Sequence, residues 1–241
     1  MADLLTIGSS GIRTYQRSLA TVSNNIVNVD TDGYSRQEHE TAQDIGSTIG
    51  RINIGSGVLS ETIKRAYDSF STGALRNSTA LLEQQDTLYM YARKLENIIG
   101  DQNLSLTSAT DRFFAAAQGV VASPSSPTAR ESLLNEARAV AERFKSLTSQ
   151  FDQLDIDSFS EIESRTQSLN TLAKQLAIVN KSLLKQTDVD SQPNGLLDQR
   201  DLLLQEMSEL TQIGVKERAN GMVDVYLTDA SSGNPLVVGT D

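Results

Sequence analysis

Catalysis needs particular side chains held close together, and few are available here. The 241 residues include one histidine and no cysteine. That composition excludes disulfides and thiolate metal sites, and a lone His39 cannot complete a usual zinc site. His39 therefore reads as a surface residue. Asp188-Val-Asp190 begins as a calcium loop would. Pro193 then stands where the loop needs glycine, and Gln199 where it needs a bidentate glutamate. Asp155-Ile-Asp157 has no following acceptors. Gly55-Ser-Gly57 lacks the third glycine of a dinucleotide fingerprint, since Ser60 occupies that position. Gly8-Ser-Ser-Gly11 is too small for a nucleophile elbow and lies inside an amphipathic segment. Acidic residues are many, but no spacing selects an acid–base pair. The reading is of no catalytic, cofactor-binding or metal residue, and of no enzyme.

The cluster Asn24, Asn25 and Asn28, followed by Tyr34, is the remaining polar constellation. It can bond free carbonyls at a helix end or mark an interface, and Tyr34 can cap that end. The element that carries it comes first in the chain. Leu5, Gly8, Ile12, Tyr15, Leu19, Val22, Ile26 and Val29 alternate in steps of three and four, which predicts a heptad seam on a helix. Asp30-Thr-Asp-Gly-Tyr follows, with Gly33 as the expected helix-terminating residue. A helix of roughly 25 residues is marginal alone in water, so its seam asks for a partner.

The rest of the chain predicts a mainly α fold. It is read as an elongated antiparallel helical bundle or coiled coil, with an N-terminal amphipathic helix, an extended connector and the start of a small β region at the C-terminus. The expected divisions are 1–32, the N-terminal helix; 33–70, the connector; 71–212, the bundle; and 213–241, the start of a β-rich region. In the connector, glycines punctuate Ile49, Ile52, Ile54, Val58, Leu59 and Ile63, which suggests one or two short strands or a hairpin. Helices are expected over 71–99, with Gly100 as C-cap, and over 107–121. Residues 128–192 contain neither Pro nor Gly. Their seam runs from Leu133 to Leu183 with a stutter at Asp155-Ile-Asp-Ser158, read as one continuous helix. Some 55 residues would make a rod on the order of 80 Å. A further helix opens at Gly195. Residues 214–218, 223–228 and 236–238 then read as strands, separated by turns at Asn220-Gly221 and Ser232-Gly-Asn-Pro235. So small a sheet with open edges is expected to be weakly stable.

Net charge is −10. That sign disfavours nucleic-acid and anionic-membrane binding, which need clustered Lys and Arg. The sequence has no apolar run of membrane-spanning length and no ordinary secretory peptide. Taken alone, that composition suits a cytoplasmic protein.

Residues 23–37, Ser23-Asn-Asn-Ile-Val-Asn-Val-Asp-Thr-Asp-Gly-Tyr-Ser-Arg-Gln37, resemble the N-terminal signature of the bacterial flagellar axial proteins (rod, hook and hook-associated). Val27 replaces the usual Ala and Asp30 the usual Asn. The ending Gly33, Tyr34, Ser35, Arg36, Gln37 is most similar to the hook-associated members. Gly57-Val58 through Arg65-Ala-Tyr-Asp-Ser-Phe70, and Gly195-Leu-Leu-Asp-Gln-Arg-Asp-Leu-Leu-Leu204, agree in the family's order.

The resemblance implies an extracellular structural subunit where hook meets filament, exported by the flagellar apparatus without a cleaved signal. It implies assembly through Leu5, Ile12, Tyr15, Leu19, Val22, Ile26 and Val29, with Asn24, Asn25 and Asn28 fixing register between neighbours. Implied partners are copies of itself, the hook, the second junction protein and an export chaperone. The family continues through a β-rich region to C-terminal helices that pair with the first one, a half this sequence is read as lacking. The competing readings are a cytoplasmic coiled-coil adaptor and a hook or rod subunit. The long 128–192 segment argues against the latter.

Overall fold

The computed structural model describes residues 4–45, 47–49, 52–100, 105–185, 192–231 and 233–241, with backbone only for 47–49 and 52–54. The calcium-like Asp188-Val-Asp190, Gly46, Gly50 and Ser232 of the second turn lie outside the described residues.

Among the described residues, five helices carry most of the structure. Helix α1 spans Leu4–Val27, α2 Ser69–Gly100, α3 Leu106–Ala122, α4 Pro127–Leu183 and α5 Asn194–Leu210. Their ends follow local chemistry. Asp68 precedes α2, accepting from the Phe70 amide at 3.1 Å and from the Ser71 hydroxyl. Those bonds hold its carboxyl below the usual range, the Ser71 hydroxyl first. Ser105 caps α3. At α4, Pro127 takes the first helical position, where its missing N–H costs nothing, and Ser126 Oγ accepts from Ala129 N. The helix then runs unbroken through the stutter, where Gln153 Nε2 donates to Asp157 Oδ1 one turn on, at 2.8 Å. Gly100 is the last residue of α2 rather than a cap beyond it.

The connector takes the hairpin form of the expectation, with four strands among the described residues rather than one or two. Strand β1, Gln37–Asp44, pairs antiparallel with β4, Gly57–Arg65, and the short β2, Ser47–Ile49, pairs with β3, Ile52–Ile54. At the C-terminus β5, Ile213–Glu217, β6, Val223–Leu227, and β7, Pro235–Val237, form an antiparallel sheet in that order.

The chain divides into two compact units, one of Met1–Leu82 with Ser168–Asp241 and the other of Glu83–Gln167. The first holds the hydrophobic core. Leu176, Val179 and Leu183 of α4 meet Leu203, Leu204 and Met207 of α5 and Val223, Val225 and Val237 of the sheet. The sheet is therefore one wall of the core, and the expected weakness of an isolated three-stranded sheet does not describe it. Asn180 locks the arrangement: fully buried, it donates to Val223 O at 2.8 Å and Gly239 O at 2.6 Å and accepts from Val223 N. In the second unit Ala109 is the one buried hydrophobic side chain among the described residues. The seam residues Phe144, Phe151 and Ile162 are exposed there.

Candidate functional site

Helix α1 docks in reverse of an ordinary amphipathic helix. Its buried residues are Thr14 and Thr21, at 7% and 6% exposure. The seam residues Ile12, Tyr15, Leu19, Val22 and Ile26 are 62%, 79%, 67%, 51% and 68% exposed. Leu5 and Val29 are exposed as well. Hydroxyls make the attachment to the hairpin. Ser18 Oγ lies 2.8 Å from His39 Nδ1, and His39 Nε2 lies 2.6 Å from Ser60 Oγ. His39, expected at the surface, is instead a half-buried link between α1 and both hairpin strands. Ser10 Oγ accepts from Val58 N at 3.3 Å. Gly57, at φ +112°, permits that approach, because a Cβ there would stand 2.2 Å from Ser10 Oγ.

The polar cluster sits at the base of α1. Asn25 Oδ1 accepts from Gln37 N at 2.9 Å and from the Tyr34 hydroxyl at 2.8 Å, and Asn25 Nδ2 donates to Gln37 O at 2.8 Å. Its amide is thus engaged within the chain. Asn24 Nδ2 donates to the Tyr34 oxygen at 3.2 Å, and Asn28 Nδ2 donates to Asn24 O and Oδ1. The phenol of Tyr34 is held above its ordinary pKa, by desolvation first and then by the charge of Asp198.

Gly33 does not end the helix, which stops at Val27. Turns closed by Thr31 N to Asn28 O and Tyr34 N to Thr31 O carry the chain onward to it. At φ +76° it lies against α5, where a Cβ would meet the Leu202 side chain at 3.0–3.3 Å. Arg36 pairs with Glu38 at the surface, and its carbonyl accepts from Ala66 N at 2.7 Å.

The three matched stretches converge here. Gln37 stands opposite Arg65 in the β1–β4 register. The buried Arg65 Nη1 donates to Asp198 Oδ1 at 2.9 Å and Asp201 Oδ2 at 2.8 Å, and its guanidinium lies 4.6 Å over the Tyr67 ring. Desolvation alone would lower the pKa of Arg65; the bond to Asp198 and the charge of Asp201 outweigh it and hold the cation. Ser35 N donates to Asp198 Oδ2. On the far side Arg200 binds Asp201 Oδ1 through Nε and Nη2, and Gly221 O through Nη1 at 2.7 Å. Sequence reasoning matched these stretches without assigning Arg65, Asp198, Arg200 or Asp201 a role. Charges inside a leucine-rich helix segment, Asp198-Gln-Arg-Asp201, were the available signal.

Elsewhere, an open polar cleft in the second unit is lined by Tyr91, Lys94, Asp157 and Arg165 among others. Lys94 sits over the Tyr91 ring at 4.8 Å and Arg165 pairs with Glu161 at 2.9 Å. Among the described residues no three His, Asp or Glu side chains converge as a metal site would require, and no helix is long and apolar enough to cross a membrane.

Comparison with known proteins matches this architecture. A family model described as the flagellar hook-associated protein FlgK helical domain covers residues 92–241, and one for the flagella basal body rod protein covers residues 5–34. Flagellar hook-associated protein 1 of Salmonella typhimurium is 32% identical over the whole of this chain and 43% of its own length. The Escherichia coli K12 protein of that name is 29% identical over 100% of this chain and 44% of its own. The chain thus spans less than half the length of these curated relatives. The flagellar hook junction protein FlgK from Burkholderia pseudomallei superposes with a TM-score of 0.63 at 28% identity, over 69% of this chain and 29% of that one. With the helical-domain model covering more than half of its length, the chain belongs to the flagellar hook-associated protein FlgK family.

Proposed function

We propose that this chain is a structural subunit of the bacterial flagellum at the junction of hook and filament, and that it performs no catalysis. The observation that carries the reading is the outward-facing seam of α1. Each such side chain gains on the order of 1.5–3 kcal/mol when covered, and the hairpin covers the other face instead. Residues 1–32 act as the polymerisation helix and 33–70 orient it. Residues 71–212 form the helical shell, and 213–241 lead into an outer β-rich region. Its neighbours are copies of itself, the hook and the second junction protein. It reaches them outside the cell through the flagellar export apparatus, guided by a chaperone and without a cleaved signal.

Leu19→Asp tests this. The full-length protein carrying it should be lost from isolated flagella, with motility abolished, while its melting temperature stays within about 2 °C of the parent because Leu19 touches no core. Normal incorporation, or equal loss of folding and incorporation, would contradict the reading. Retention of the parent protein in the cytosol would favour an adaptor.

A further inference from the structure

The manner in which the N-terminal arm, residues 4–65, is attached to its own unit differs from the manner in which that unit is built. The hydrophobic core draws only on α4, α5 and the β5–β7 sheet. Among the described residues of the arm, no hydrophobic side chain is buried. Contacts of the arm with α5 are polar or small. Arg65 binds Asp198 and Asp201, Ser35 N binds Asp198, Asn194 Nδ2 donates to Ile63 O at 2.8 Å, and Gly33 abuts Leu202. Inside the arm, α1 and the hairpin are joined by their own bonds through Ser18, His39, Ser60 and Asn25.

We propose that the Arg65–Asp198–Asp201 cluster is an orientation latch: it fixes the direction in which an internally rigid arm leaves the body, and its opening releases the arm without unfolding either part. The physics follows from what each step exposes. Swinging the arm away uncovers no apolar core, so the hydrophobic effect scarcely opposes it. What opposes it is the set of charge-assisted hydrogen bonds from Arg65 and Ser35 to Asp198 and Asp201, each stronger than a neutral one. Asp201 retains Arg200 when Arg65 leaves, and Asp198 gains water, so the body is not left with an uncompensated charge. On the proposed function, a helix whose seam must meet neighbours is served by an arm set by one polar contact region. The latch is independent of which molecule covers that seam.

The absence of cysteine allows the test directly. Spin labels at Gln16→Cys in the arm and Glu209→Cys on α5 report the arm–body distance by pulsed electron resonance. The parent should give one narrow distance. Arg65→Gln combined with Asp198→Asn, which removes the charge-assisted bonds without stranding either charge, should raise the detached population about a hundredfold, giving a broad second component. Circular dichroism should show unchanged helix content, and the arm's own pair, labelled at Gln16→Cys and Glu61→Cys, should stay narrow. A distance that remains single and narrow would overturn the latch. So would loss of the body's cooperative melting in the double variant, or broadening of the pair within the arm. Arg65→Lys supplies a folded control that keeps the cation but not the guanidinium's paired donors, and it should lie between the two.

Discussion

At the level of single residues, Asn25 shows how a short polar side chain can define a junction. Its amide accepts twice and donates once, to groups nine and twelve residues away. Asn25→Leu should destabilise the chain by about 2 kcal/mol, because it deprives the Gln37 amide and carbonyl and the Tyr34 hydroxyl of partners at a half-buried site. Chemical denaturation with far-ultraviolet circular dichroism measures this; an effect within error would show that water replaces the bonds. Asn24, exposed, should tolerate the same change. The sequence displayed this cluster as asparagines near a helix end, and that much was legible. The pairing of Asn25 with Gln37 was not, because those partners are backbone groups, which carry no signature in residue type. Arg65 and Asp198 were hidden for a related reason: they are 133 positions apart, and nothing local to either points to the other.

The helices were the most legible elements, because a period sustained over many residues averages out local exceptions. The heptad steps on α1 marked its apolar edge, and the Pro/Gly-free stretch that became α4 is continuous through Asp155–Ser158. The face by which α1 docks was not legible. Thr14, Ser18 and Thr21 look like a solvent face until a hairpin is set against them. The hairpin itself was faint. Gln37–Asp44 holds Ala42 as its one hydrophobic residue, so the alternation that reveals strands is missing. The C-terminal strands showed the opposite: their pattern was plain, but their role as a core wall depended on Leu176, Val179 and Asn180 arriving from α4. Asn180→Leu should cost about 3 kcal/mol by leaving buried backbone groups of Val223 and Gly239 unbonded. It should also melt β5–β7 before the rest, as hydrogen exchange of residues 223–227 would report. Uniform exchange across the chain would mean that the sheet is held by apolar contact alone.

For the molecule as a whole, two kinds of surface coexist. The first unit buries a core at one end and presents, on α1, an apolar edge backed by hydroxyl contacts. The second unit leaves Leu88, Phe114, Phe144, Phe151 and Ile162 exposed. Exposed apolar surface on this scale marks interaction rather than isolation, which suits a family of flagellar axial subunits. On the proposed function, α1 keeps its apolar edge open until other molecules close over it. The cysteine-free background permits one direct measurement: the rate at which a thiol reagent modifies Leu19→Cys and, separately, Thr21→Cys, first in the purified protein and then in isolated flagella. Leu19→Cys should be modified fast when free and at least about tenfold slower after assembly, with Thr21→Cys slow in both states because it is already buried. Equal rates for Leu19→Cys in the two states would contradict it.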